Sequence, residues 1–288
     1  MVSFHKFVKT PQMKNIVVAT DFSPIALNAV HYALQLSIAY GGELIIVNTY
    51  QLPISYTEVP LVTVSLEEIK KVSEEGLLEL KKNLEKLSGK KIKINTISKL
   101  GDIAEVLMEI EEEYNITLMI AGTKGVSGLE RFWLGSNTLR MIEKTTTPIM
   151  TIPPGIKYQK IDKVVLATDL LDVEETTDAE KIKNLITLFN SKLSVINVDH
   201  NKRHFTAQTP EETIKLDEML HPMVHDFVFI ENESVTEGIN RYVEENQIDV
   251  IFMMPRVHSM LEKIMEKSKS REMVYHSKFP IIHFKKTS

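Results

Sequence analysis

The feature that most constrains this chain is an internal repeat. Lys14-Asn-Ile-Val-Val-Ala-Thr-Asp21 reads as a buried strand ending in a polar turn, and Asp162-Lys-Val-Val-Leu-Ala-Thr-Asp169 reads the same way, 148 residues later. Glu43-Leu-Ile-Ile-Val-Asn48 is matched by Lys192-Leu-Ser-Val-Ile-Asn197, and Ile116-Thr-Leu-Met-Ile120 by Ile248-Asp-Val-Ile-Phe252. The last pair is Thr147-Pro-Ile-Met-Thr-Ile152 with Phe279-Pro-Ile-Ile-His-Phe284. Repeats in unchanged order point to a duplicated structural unit. The offset falls to 132 at the last pair, so the second copy is shorter in its middle.

Within the first copy, strands alternate with helices. Ser23 is a candidate N-cap with Pro24 in the first turn, and Ala26, Ala29, Val30, Ala33 and Leu34 then share one helical face. Ser65-Leu-Glu-Glu68 is a capping-box pattern. It opens a long helix whose inward residues are expected to be Ile69, Val72, Leu77, Leu80, Leu84 and Leu87. Lys91 to Ser98 alternates like a strand, and Asp102 to Tyr114 is helical with Ile103, Val106, Leu107 and Ile110 on one side. Ile116 to Ala121 is a near-continuous apolar run, as a central parallel strand requires. The pattern predicts βαβ units, a doubly wound parallel sheet and helices on both faces. The expected division is residues 1–154 and 155–288, with the join in Pro153 to Lys160 too short for the halves to swing freely.

Such sheets bind ligands beyond the carboxyl ends of their strands, where strand order reverses. Two strand ends matter, one closing at Asp21 and one at Ala121. The second runs into Gly122-Thr-Lys-Gly125, then nine residues, then Gly135-Ser136. Glycines leave no Cβ between backbone and ligand, and successive amides can form an anion nest. The amides opening the next helix add to it. Ser136 can cap that helix or donate to a phosphate, and the Asp21 carboxylate can accept from a ribose or an adenine edge. No Gly-Lys-Ser/Thr follows at Walker spacing, and the first strand ends in Asp21 rather than in a dinucleotide fingerprint.

Gly-x2-Gly-x9-Gly-Ser after the fourth strand, with Ala-Thr-Asp closing the first, resembles the universal stress protein family, over nearly the whole chain as two tandem copies. The resemblance implies a five-stranded α/β fold of strand order 3-2-1-4-5 in each half, and binding of ATP or AMP, with or without Mg2+. Position by position, it places Asp21 and Ala19 beside adenosine, the Thr49 backbone against adenine, and Ala121 near the ribose. Gly122, Gly125, Gly135 and Ser136 fall on the phosphate positions. It further implies pairing of the two Pro-Ile strands as an intrachain pseudo-dimer, and leaves a homodimer open.

The second copy departs from this pattern. At the offset of 132, Gly122 becomes Met254, Gly125 becomes Val257 and Gly135 becomes Lys267; Ser268 keeps the serine and Asp169 the aspartate. A valine disfavours positive φ and projects toward the phosphates. One nucleotide per chain is therefore expected, in the first half.

Other candidates read as ordinary structure. Lys124 and Arg131 are expected to be solvated loop cations, Phe132 and Trp133 to anchor the loop, and Asp169 to cap a helix. His200, His204, His221 and His225 do not form a metal set, since Pro222 interrupts the last pair and no carboxylate completes it. Lys263 to Arg271 reads as a solvated basic face. A net charge of −5 and a pI near 6.0 argue against a general nucleic-acid binder. The chain has no cysteine, which excludes disulfides, thiolate catalysis and cysteine-zinc sites. It has no signal-like apolar run in Met1 to Lys14 and no stretch near the ~20 apolar residues of a membrane span. The expectation is a cytoplasmic regulator with unidentified protein partners. The competing readings are a slow ATP hydrolase, for which no base or acidic pair stands out, and a scaffold with a vestigial loop.

Overall fold

The structure, a computed structural model, describes residues 13–52, 65–125, 132–133, 136–199, 207–254 and 278–286. The first half runs β1 (Asn15–Ala19), α1 (Pro24–Tyr40), β2 (Glu43–Tyr50), α2 (Leu66–Ser88), β3 (Ile94–Leu100), α3 (Ile103–Glu113) and β4 (Ile116–Gly122). A two-residue pair follows, β5 (Lys124–Gly125) and β6 (Phe132–Trp133), then α4 (Ser136–Lys144) and β7 (Ile149–Ile152). The second half runs β8 (Lys163–Ala167), α5 (Val173–Thr176), α6 (Ala179–Phe189), β9 (Lys192–Asp199), α7 (Thr209–Leu220) and β10 (His225–Glu231). It ends with α8 (Val235–Asn246), β11 (Val250–Met253) and β12 (Ile281–His283).

These strands build one sheet in the order β10-β9-β8-β11-β12-β7-β4-β1-β2-β3. Read from each first strand, both halves have the order 3-2-1-4-5, with parallel pairing inside each half. The halves meet in an antiparallel pair, with Ile281 opposite Thr151, Ile282 opposite Met150 and His283 opposite Ile149. Apolar cores cover both faces of the sheet, and each draws on both halves. Ile16, Val18 and Ile120 share one with Val164, Leu166 and Phe252. Val17, Met119 and Ile149 share the other with Val165, Ile251 and Ile281. Successive strand residues point to opposite faces, so each strand feeds both.

The expected caps are in place. Ser23 Oγ accepts from the Ala26 amide, Ser65 and Glu68 form the capping box, and Asp102 caps α3. All five residues assigned to the inner face of α1 are buried. α2 differs from expectation. Val72 and Leu87 are 69% and 63% exposed, and the buried positions are Ser73, Leu77, Leu84 and Ser88. The inner seam lies one residue away from the apolar pattern at each end, because two serines occupy it.

The join between the halves is held along its length. Asn28 Nδ2 donates to the carbonyls of Pro153 and Ile156, each at 3.3 Å. Tyr158 meets Tyr32 edge to face at 5.5 Å, and burial raises both phenols above their ordinary pKa. Beyond the sheet, Lys285 Nζ donates to the Glu143 carbonyl in the last turn of α4, a favourable place for a cation. Among the described residues no helix is long and apolar enough to cross a membrane.

Candidate functional site

The chain leaves β1 through α1 toward β2, while β4 lies on the other side of β1 with Val18 opposite Ile120. Their carboxyl ends therefore part, and a cleft of about 370 Å³ opens above them. Ala19, Ala121 and Gly122 line its floor, Asp21, Ser23, Ile25 and Ala26 one side, and Ser136, Asn137, Thr138 and Met141 the other. The cleft thus gathers Ala19, Asp21, Ala121, Gly122 and Ser136 from segments up to 117 positions apart.

Asp21 holds two positions in one side chain. Its Oδ1 accepts from the Ser23 amide at 3.0 Å, closing an Asx turn that leads into α1. Its Oδ2 has no partner among the described residues, and the residue is exposed at the cleft. The turn also needs φ of +61° at Phe22, whose amide donates to Thr20 Oγ1 at 3.0 Å. Thr20 in turn donates its own amide to the Val47 carbonyl at 2.9 Å.

Gly122 has a steric reason to be glycine. A Cβ built there would stand 2.9 Å from both the carbonyl oxygen and Cγ2 of Ile25. The missing side chain lets the first turn of α1 sit directly on the end of β4. Ser136 begins α4 and is exposed, and Thr138 Oγ1 donates to the Gly122 carbonyl at 3.4 Å, tying that helix to the strand. Arg140 Nη1 lies 2.6 Å from Asp102 Oδ2, joining α4 to the cap of α3.

Gly125 stands in β5, paired with Phe132 across a small antiparallel ladder that the sequence pattern did not announce. Gly135 and Arg131 lie outside the described residues. Thr49 is on β2, opposite Lys99 of β3, and is not among the cleft-lining residues. The cleft adds Thr20, Ile25, Asn137, Thr138 and Met141, which were not singled out in the sequence, and Ile103, which was assigned only to the inner face of α3. Asn137 and Thr138 were open to inference, since a helix that begins at Ser136 must also turn its next two residues toward the same opening.

The second half reproduces the turn, and its described residues differ from the first half at the strand end and in the helix that follows. Val18 faces Ile120 as Leu166 faces Phe252, so the register puts Met254 where Gly122 stands. The Leu170 amide donates to Thr168 Oγ1 at 3.1 Å, the Leu171 amide to Asp169 Oδ1 at 3.2 Å, and φ at Leu170 is +51°. Asp169 therefore closes an Asx turn, where a helix cap was expected. The first helix differs: the counterpart of the unbroken α1 is the single turn of α5, a break, and α6 recapped by Asp178. A methionine in place of Gly122 brings a side chain to the position that the first turn of α1 needs empty. Val257, Lys267, Ser268, His200 and His204 lie outside the described residues.

His221 follows the last residue of α7 and His225 begins β10, so the pair does not share a helix. His225 is held by Met223, with Nδ1 2.9 Å from its carbonyl oxygen. Among the described residues, no three His, Asp or Glu side chains group to hold a metal ion.

Comparison with known proteins agrees with this geometry. The sequence model of the universal stress protein family matches residues 13–153. Universal stress protein YxiE of Bacillus subtilis is 31% identical over 139 residues, covering 46% of this chain and 92% of that protein. Universal stress protein Slr1230 of Synechocystis is 24% identical across 95% of this chain and the whole of its own length. The crystal structure of a universal stress protein from Archaeoglobus fulgidus superposes with a TM-score of 0.72 at 17% identity, covering 94% of this chain and 98% of that one.

Proposed function

Since this chain belongs to the universal stress protein family, we propose that it is an adenine-nucleotide-binding regulator that holds one ATP or AMP, with or without Mg2+, in its first half. The observation that carries the reading is the cleft between β1 and β4, with Asp21 Oδ2, unpartnered among the described residues, on one wall and a helix N-terminus on the other. The carboxylate suits ribose hydroxyls or an adenine amino group. The amides around Ser136 and the Gly122–Gly125 backbone suit phosphates. Thr49, through its backbone, and Gly135 complete the proposed set from beyond the described lining. In this reading residues 1–154 form the binding domain, and residues 155–288 form a partner domain that kept the fold and lost the phosphate cradle. The protein works in the cytoplasm and signals through contacts with other proteins. Asp21 is the one carboxylate among the described lining residues, which favours binding over hydrolysis.

Isothermal titration with ATP, ADP and AMP tests the reading. One nucleotide per chain is expected, and Gly125→Val, which copies Val257, should weaken binding by about a hundredfold, equivalent to roughly 2.7 kcal/mol. A folded sample that binds none of the three, or a variant with unchanged affinity, would overturn the assignment.

A further inference from the structure

The carbonyl of Thr20, immediately before Asp21, is held by a buried polar relay that reaches across three strands to α2. Asn48 Nδ2 donates to it at 2.7 Å. Asn48 Oδ1 accepts from Ser73 Oγ at 2.6 Å, and Ser73 Oγ lies 2.6 Å from Ser98 Oγ. Ser73 is 3% exposed on the inner seam of α2, where apolar residues were expected, and Asn48 is the residue before Thr49. The relay therefore ties together the two strand ends that the proposed site assigns to the nucleoside.

The second half provides an internal control. Asn197 Nδ2 makes the same bond to the Thr168 carbonyl at 3.0 Å, yet its buried Oδ1 has no partner among the described residues. The turn thus forms there without a described counterpart of the Ser73 bond, and Ser73 is not required to fold it. A carboxamide satisfied at both ends has one orientation, whereas one with an orphaned buried oxygen carries the cost of dehydrating that oxygen and is more readily displaced.

We propose that Ser73, acting through Asn48, is a positioning residue for the nucleoside end of the cleft. It fixes the Thr20 carbonyl, and with it Asp21, in the geometry that receives the ribose and base. This rests on the nucleotide reading above, and it adds α2 to the determinants of the site although α2 contributes no described lining residue.

The test is Ser73→Ala, which recreates the Asn197 arrangement in the first half. Titrations use adenosine, ATP and inorganic tripolyphosphate, with amide hydrogen exchange on the ligand-free protein. The expected result is about a tenfold loss for adenosine and ATP, as one orphaned buried acceptor implies. Tripolyphosphate affinity should not change, and exchange at Asp21 and Phe22 should speed up. Ser98→Ala, which removes only the far end of the relay, should act in the same direction and less strongly. Unchanged adenosine and ATP affinities, or an equal loss for tripolyphosphate, would overturn the positioning role while leaving the site in place. A wild-type chain that binds neither adenosine nor ATP would instead overturn the nucleotide reading, and this role with it.

Discussion

Gly122→Val is expected to cost about 2–3 kcal/mol of folding stability and to abolish nucleotide binding in the fraction that remains folded. The cause is space rather than backbone conformation, since Gly122 sits in an ordinary strand. Any Cβ there meets Ile25 at 2.9 Å, and one of the two atoms met is a backbone carbonyl oxygen that cannot rotate away. Relief requires the first turn of α1 to lift, and that turn carries Ser23, Ile25 and Ala26 into the cleft. Urea denaturation and titration with ATP read the two effects separately. Gly122→Ala should show the same direction with a smaller cost. Adding Ile25→Ala should recover only part of it, because the carbonyl remains. A Gly122→Val protein as stable as the wild type would show that α1 is not seated on β4 as described.

Acid should weaken the fold through His283. This side chain is buried at the central antiparallel pair, with Nε2 3.2 Å from Thr151 Oγ1 and Nδ1 without a partner among the described residues. With Thr151 Oγ1 donating to the Ile281 carbonyl at 3.3 Å, the Nε2–H tautomer of His283 completes the pair, and that tautomer leaves Nδ1 as an acceptor. Burial drives the imidazole pKa down from the usual 6.5 to about 3. Above pH 6.5 the ring is neutral whether the chain is folded or not, and its contribution to stability is fully present. As pH falls below 6.5 the unfolded chain takes up a proton that the folded chain refuses. Stability then drops by about 1.4 kcal/mol per pH unit until the folded ring also titrates near pH 3. His283→Gln removes the titration and retains a polar side chain. Between pH 6.5 and 4.5 it should lose about 2.3 kcal/mol less stability than the wild type, because the unfolded imidazole is already half protonated at pH 6.5. Carboxylates titrate in both proteins and cancel in the comparison, so equal losses would refute the assignment.

The parts of this molecule that were legible in the sequence are those written in local order. The repeat, the strands that lead to Asp21 and Gly122, the caps at Ser23 and Ser65, and the helix start at Ser136 all leave their mark within a few residues. The strand order came from the family resemblance, because periodicity says which segments are strands and not which ones neighbour each other. Sideways contacts left no such mark. Ser73 looks like a poor choice on an apolar seam until Asn48 and Ser98 are beside it. Arg140 looks like a surface cation until Asp102 is beside it. The inward assignment of Val72 and Leu87 failed for the same reason, since the neighbours of α2, rather than its own apolar residues, decide which stripe turns inward. The division of the second half's first helix into α5 and α6 was hidden likewise.

The central antiparallel pair spans only three residue pairs, Ile149–Thr151 against Ile281–His283. Two separate polypeptides joined there would have to find each other at cellular concentration, and every copy would be equally obliged to carry ligand. Joined by a short pinned segment, the halves meet instead at an effective concentration set by the tether, commonly millimolar for short linkers. Within one chain the halves are paired as two subunits of a dimer would be. A tethered companion can drift in sequence without ever pairing with a copy of itself, which leaves one half free to change its strand-end residues as long as the interface on which both depend is kept.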